Sequence, residues 1–198
     1  MTCLNHASLA ASLAALTVAA DAAAASKPKS PAGKRPDVIV IMTDQQTAGA
    51  MSCAGNPWVR TPAMDALAAD GVRFTRAYCP YPLSGPCRAA LVTGRMPFEV
   101  RAFDNAIRPA DADMQAGIGH RLAEAGYECL YAGKWHVPEV NLPDSGTGFR
   151  RISKMNDPAL ADACDAALKE YDGQKPLFLV ASLLNPHEIC EYGRHETL

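Results

Sequence analysis

A chain of 198 residues, 48% apolar and 20% charged, has the composition of a globular protein long enough for one domain with a sizeable core. Its net charge of −2 argues against the basic stripe of a nucleic-acid binder and the polybasic patch of a membrane-surface protein. Seven cysteines, none in a Cys-x-x-Cys pair, argue against a zinc ribbon or a thioredoxin motif.

Residues 1–25 read as a secretory signal. Leu9 to Ala20 is an apolar run too short to span a bilayer, and Ala23-Ala24-Ala25 before Ser26 fits a small-x-small cleavage site. Met1 to Ser8 carries no Lys or Arg, so an Ala-rich extension is the competing reading. Cys3 precedes the apolar run, which does not support a lipid anchor. The expectation is a periplasmic or secreted protein without stable membrane insertion. Residues 26–36 are a basic, Pro- and Gly-containing linker, and the folded part spans 37–198.

Val38-Ile39-Val40-Ile41-Met42 is a β-branched run, the pattern of a strand buried on both faces of a parallel sheet. It ends in Thr43-Asp44-Gln45-Gln46. Ligands bind beyond the carboxyl ends of such strands, and a carboxylate with an amide oxygen suits a hard cation such as Ca²⁺; an Asp-capped turn is the plainer alternative. Thr61 caps a helix that has Pro62 in its first turn and Gly71 at its end. Val72 to Tyr78 alternates as a strand leading to a loop rich in proline (Pro80, Pro82, Pro86) and Gly85. From Pro86 a helix runs to a C-cap at Gly94, so Ser84 sits just ahead of its N-terminus and Arg88 can fold back over the same spot.

Met114 to Ala125 reads as an amphipathic helix ended by Gly126. It contains His120, a partly exposed helical residue. Tyr127 to Ala132 is a strand that delivers Gly133-Lys134-Trp135-His136 to the strand-end face. Residues 141–157 are loop-like, and Pro158 to Tyr171 is a helix. Pro176 to Leu183 is another buried strand, followed by Asn185-Pro186-His187-Glu188; His195 reads as a surface residue. Four strand ends then carry Asp44 and Gln45, Ser84 and Arg88, Lys134 and His136, and His187 to one face of an α/β sheet.

Ser84-x-Pro86-x-Arg88 followed by Ala-Ala-Leu-Val-Thr-Gly-Arg resembles the signature of the formylglycine-dependent sulfatases, here in a Ser-type form with Cys87 as a filler. Gly133-Lys134-Trp135-His136 is a second string similar to that family, and Asn56 to Phe74 a third. The resemblance implies an alkaline-phosphatase-like sheet of mostly parallel strands with helices on both faces, incomplete at the C-terminus. It implies that Asp44, Gln45 and Ser84 ligate a divalent cation, Ca²⁺ ahead of Mg²⁺. It also implies that a radical maturase oxidises Ser84 to formylglycine, whose hydrate attacks the sulfur of a sulfated small molecule or glycan. Arg88 and Lys134 would neutralise charge, His187 would stand by the leaving oxygen, and His136 would take the proton that lets sulfate depart.

The family's second metal-ligand pair and a further Lys do not follow His187, so the chain alone is expected to have little activity. A phosphonate monoester or phosphodiester hydrolase of the same superfamily is the nearest alternative. A non-catalytic remnant is the reading from another class.

Overall fold

The computed structural model describes residues 35–106, 109–137, 146–155 and 157–189; the expected signal segment (1–25), most of the expected linker (26–36) and His195 lie outside them. Among the described residues no helix is long and apolar enough to cross a membrane. Four strands, β1 (Val38–Asp44), β2 (Glu128–Gly133), β3 (Arg150–Ser153) and β4 (Leu177–Pro186), form one sheet in the order β1-β4-β2-β3. Every pairing in it is parallel. Among the described residues five α-helices accompany them: α1 (Pro62–Asp70), α2 (Ser84–Thr93), α3 (Asp111–Gln115), α4 (Ile118–Glu124) and α5 (Asp157–Glu170).

Because side chains alternate across a strand, β2 and β4 feed two cores. Cys129, Tyr131, Phe178 and Val180 face one side, where Val92 of α2, Met114 of α3 and Leu122 of α4 meet them with Trp135 and Phe149. Leu130, Leu177 and Leu179 face the other, with Ala132 and Ala181 continuing the same side; Leu160, Cys164 and Ala167 of α5 cover it. Helices therefore lie on both faces. Asp37 Oδ1 accepts the Leu177 N–H at 2.7 Å, tying the entry of β1 to that of β4.

Several local expectations are corrected. β1 is not buried on both faces: Val40 packs on the first core, but Ile39 and Ile41 are 50% and 66% exposed. Among the described residues β1 is an edge strand, and α5 packs on β2, β3 and β4. Val72 to Tyr78 forms no strand, since among the described residues no neighbour takes up its ladder bonds, and Val72, Phe74 and Tyr78 are exposed. The helix expected over Met114–Ala125 breaks at Ala116–Gly117, where a Gly117 Cβ would stand 2.7 Å from the Val92 carbonyl oxygen. The stretch expected to be loop over 141–157 contains β3, a four-residue edge strand with too few apolar residues to announce itself.

Gly133, where β2 ends, is the tightest point between strands. Its φ is +88°, and a Cβ there would lie 2.1 Å from the Ser182 carbonyl oxygen and 2.5 Å from Leu160 Cδ1. Gly133→Ala is expected to cost roughly 3 kcal/mol of stability by urea unfolding, from overpacking and an unfavourable φ together. A change under about 1 kcal/mol would contradict the close approach.

The five described cysteines are free thiols. Cys129 is buried, which pushes its thiol up to about 11, while Cys79 is exposed.

Candidate active site

The strand-end face gathers a compact polar cluster. α2 begins at Ser84 itself, with Leu83 as N-cap, so Ser84 is the first helical residue rather than a residue ahead of the helix. The Cys87 N–H bonds to the Leu83 carbonyl at 3.0 Å, which closes the first turn two residues earlier than a helix starting at Pro86 would. Gly94 ends α2 in the left-handed conformation, as expected.

Asp44, the last residue of β1, is the hub. Its Oδ2 accepts from Ser84 Oγ at 3.3 Å and from Arg88 Nη2 at 3.3 Å, and forms an ion pair with Lys134 Nζ. Arg88 Nη1 donates to the Lys134 carbonyl and to Ser182 Oγ, both at 2.7 Å. The Lys134 carbonyl also accepts from Tyr131 OH at 2.7 Å and Ser182 Oγ at 2.8 Å, so one peptide oxygen is the anchor for three donors. Asp44, Arg88 and Lys134 are all buried. Two buried cations share one buried carboxylate, which leaves an excess of positive charge beside a hydroxyl at a helix N-terminus. Such a site is suited to an oxyanion.

The electrostatics follow from this packing. Burial would raise the Asp44 carboxyl, but the hydrogen bond and charge of Lys134, with Arg88 and His187 behind it, hold it below its ordinary value. His136 is pushed down, first by burial and then by the charges of Lys134 and Arg88. Its Nδ1 is buried with no hydrogen-bond partner among the described residues. An imidazole with a lowered pKa binds a proton more weakly folded than unfolded. Stability from His136 is therefore full above its ordinary value of 6.5 and is expected to fall as pH drops through the lowered value. Urea midpoints measured from pH 7 to pH 5 should show this slope, and His136→Gln should flatten it.

His187 lies in the turn after β4, and its charge bears on both Asp44 and His136. Gln45 follows Asp44 at the same strand end with a φ of 60°; His136 has a φ of 44°. Non-glycine residues held at positive φ are costly and concentrate at functional sites. The structure thus brings Asp44, Ser84, Arg88 and Lys134 into direct contact, with Gln45, His136 and His187 on the same rim.

Sequence reasoning missed three supporting residues. Ser182 and Tyr131 had a signal, each being a polar group inside an otherwise apolar strand run, which must find a partner when buried. Asn105 had none. Its Oδ1 takes the Gly85 N–H at 2.9 Å, and a Gly85 Cβ would stand 3.0 Å from the same oxygen.

For a cation, Asp44 and Gln45 offer oxygen donors of the right hardness, with Ser84 beside them. Among the described residues no cluster of three or more His, Cys, Asp and Glu could hold a metal. The donors fit a hard cation in kind, and they are fewer than the six to eight oxygens that Ca²⁺ takes.

A sequence profile of the sulfatase family matches residues 36–195. The chain belongs to the sulfatase family. It is 40% identical over 133 residues to an N-acetylglucosamine-6-O-sulfatase of Bacteroides thetaiotaomicron, covering 67% of this chain and 23% of that one. It is 36% identical over 124 residues to human arylsulfatase A, covering 59% and 24%. Among solved structures, a protein in complex with its substrate D-glucosamine-2-N,6-O-disulfate superposes with a TM-score of 0.68 at 28% identity, over 78% of this chain and 35% of that one. The chain thus spans about a quarter of the curated relatives it matches. The sulfatase neighbours share the parallel sheet flanked by helices.

Proposed function

We propose that this sulfatase hydrolyses sulfate esters, with Ser84 oxidised to formylglycine as the residue that attacks sulfur. The observation that carries this reading is the buried excess of positive charge around Ser84 Oγ. Arg88 and Lys134 hold the charged oxygens of the ester, and their fixed partners spare the site reorganisation as charge develops. His136, neutral at pH 7 because its pKa is lowered, accepts a proton at the nucleophile side. His187, at the end of the neighbouring strand β4, stands by the leaving oxygen.

A divalent cation, Ca²⁺ ahead of Mg²⁺, would be held by Asp44, Gln45 and Ser84, and supplies Lewis-acid stabilisation of sulfate oxygens. The names of the relatives point to a sulfated amino sugar or glycosaminoglycan unit as substrate. The partner reading includes a radical maturase acting before export to the periplasm or medium.

The test uses protein purified from its native host. The Ser84 peptide should be two hydrogens lighter than unmodified and captured by a hydrazide, and aryl sulfate should be cleaved faster than aryl phosphodiester. Unmodified serine throughout would sink the proposal. A phosphonate monoester hydrolase of Agrobacterium radiobacter shares the fold at 22% identity, and preference for the phosphodiester would favour that chemistry instead.

A further inference from the structure

The register between β1 and β4 slips at the site: Met42 pairs with Ser182, but Asp44 pairs with Pro186. Two residues on β1 thus face four on β4, a bulge that takes Leu183, Leu184 and Asn185 out of the regular ladder. Backbone donors that leave a ladder must be satisfied elsewhere or cost stability. Those of Leu184 and Asn185 are satisfied by one side chain. Asp157, the first residue of α5, accepts the Leu184 N–H on Oδ1 at 2.7 Å and on Oδ2 at 2.9 Å. Its Oδ2 also accepts the Asn185 N–H at 2.7 Å and Asn185 Nδ2 at 3.1 Å. α5 is itself fixed, because Leu160 packs between Ala132 and Ala181 and abuts the bare Gly133.

We propose that Asp157 is a positioning residue, whose carboxylate clamps the β4 bulge and so sets where the following turn holds His187 relative to Asp44. The turn is short and hangs from the same residues, since the His187 N–H bonds back to the Leu184 carbonyl at 3.0 Å. Fixing Leu184 and Asn185 therefore fixes the root of the His187 side chain. The functional weight of the clamp rests on the reading of His187 as a site residue; the clamp itself does not.

The test is made by NMR on the full 198-residue chain, at constant pH, with amide exchange and the His187 imidazole signal as readouts. In the unmutated chain the Leu184 and Asn185 amides should be protected to within about tenfold of Val180. Free exchange there would overturn the proposal without any variant. Asp157→Asn keeps one acceptor oxygen but replaces the other with an amide donor facing a backbone donor, and should speed exchange at Leu184 and Asn185 by about a hundredfold, leave Phe178 to Ala181 protected, and shift the His187 signal while His120 stays put. Asp157→Ala, which removes both acceptors, should speed exchange at Leu184 and Asn185 at least as much and shift the His187 signal again.

A merely structural aspartate would instead loosen all of β4 together and leave the native His187 signal where it was, and that outcome overturns the proposal. Because neither readout involves sulfate, failure of the sulfatase reading would leave these results intact. Conversely, an intact clamp in a protein without sulfate ester hydrolysis would fault that reading alone.

Discussion

Arg88→Ala is expected to destabilise the folded chain by about 3–5 kcal/mol, the largest effect of any single substitution in the site. Arg88 is 5% exposed and its two nitrogens tie β1, β2 and β4 together through Asp44, Lys134 and Ser182. Alanine would leave the Lys134 carbonyl and Ser182 Oγ short of a charged donor, remove one of two cations from Asp44, and open a void under α2. Arg88→Lys should recover only part of the loss, because a single ammonium cannot span the Asp44 carboxylate and the Ser182–Lys134 pair at once. Urea unfolding measures both variants. A cost under about 1 kcal/mol for alanine would mean that the buried network is not a stabilising element.

Ser84→Ala should act on chemistry and spare the fold. Among the described residues the Ser84 hydroxyl makes one hydrogen bond, at 3.3 Å to Asp44, and the first turn of α2 closes through backbone bonds to its N-cap Leu83. Its loss should move stability by about 0.5 kcal/mol or less, near the range of a surface change. Sulfate ester hydrolysis by protein from the native host should fall on the order of 10⁴-fold or more, as for loss of a nucleophile. Hydrazide capture of the protein should vanish with it. Retained capture in the alanine variant would place the carbonyl elsewhere and overturn the assignment of Ser84.

The two predictions probe the same few residues, and those residues were unevenly legible. Ser84, Arg88, Lys134 and His136 were readable because each sits in a string whose neighbours carry their own constraints, such as Gly94 at a left-handed cap. Asp44 and His187 were readable because apolar runs end in them, and strand ends are where ligands bind. What the strings did not carry was neighbourhood. Val38 to Met42 is apolar at every position, yet its exposure depends on whether a helix lies over β1, and α5 packs on β2, β3 and β4.

The clamp at Asp157 and the amide of Asn105 come from segments far along the chain, and each acts on a backbone N–H that no residue pattern exposes. The break at Gly117 is of the same kind, a contact with Val92 rather than a local preference.

The thiols differ in a way that matters for handling the protein. A thiolate-selective reagent at pH 8 meets roughly one part in a thousand of Cys129 in reactive form, behind a packed core. Cys79 stands in solvent just ahead of the Ser84 loop. Among the described thiols it is the natural attachment point for a fluorophore, and a dye there would sit close enough to the positively charged cluster to signal the arrival of an anion without any turnover at all.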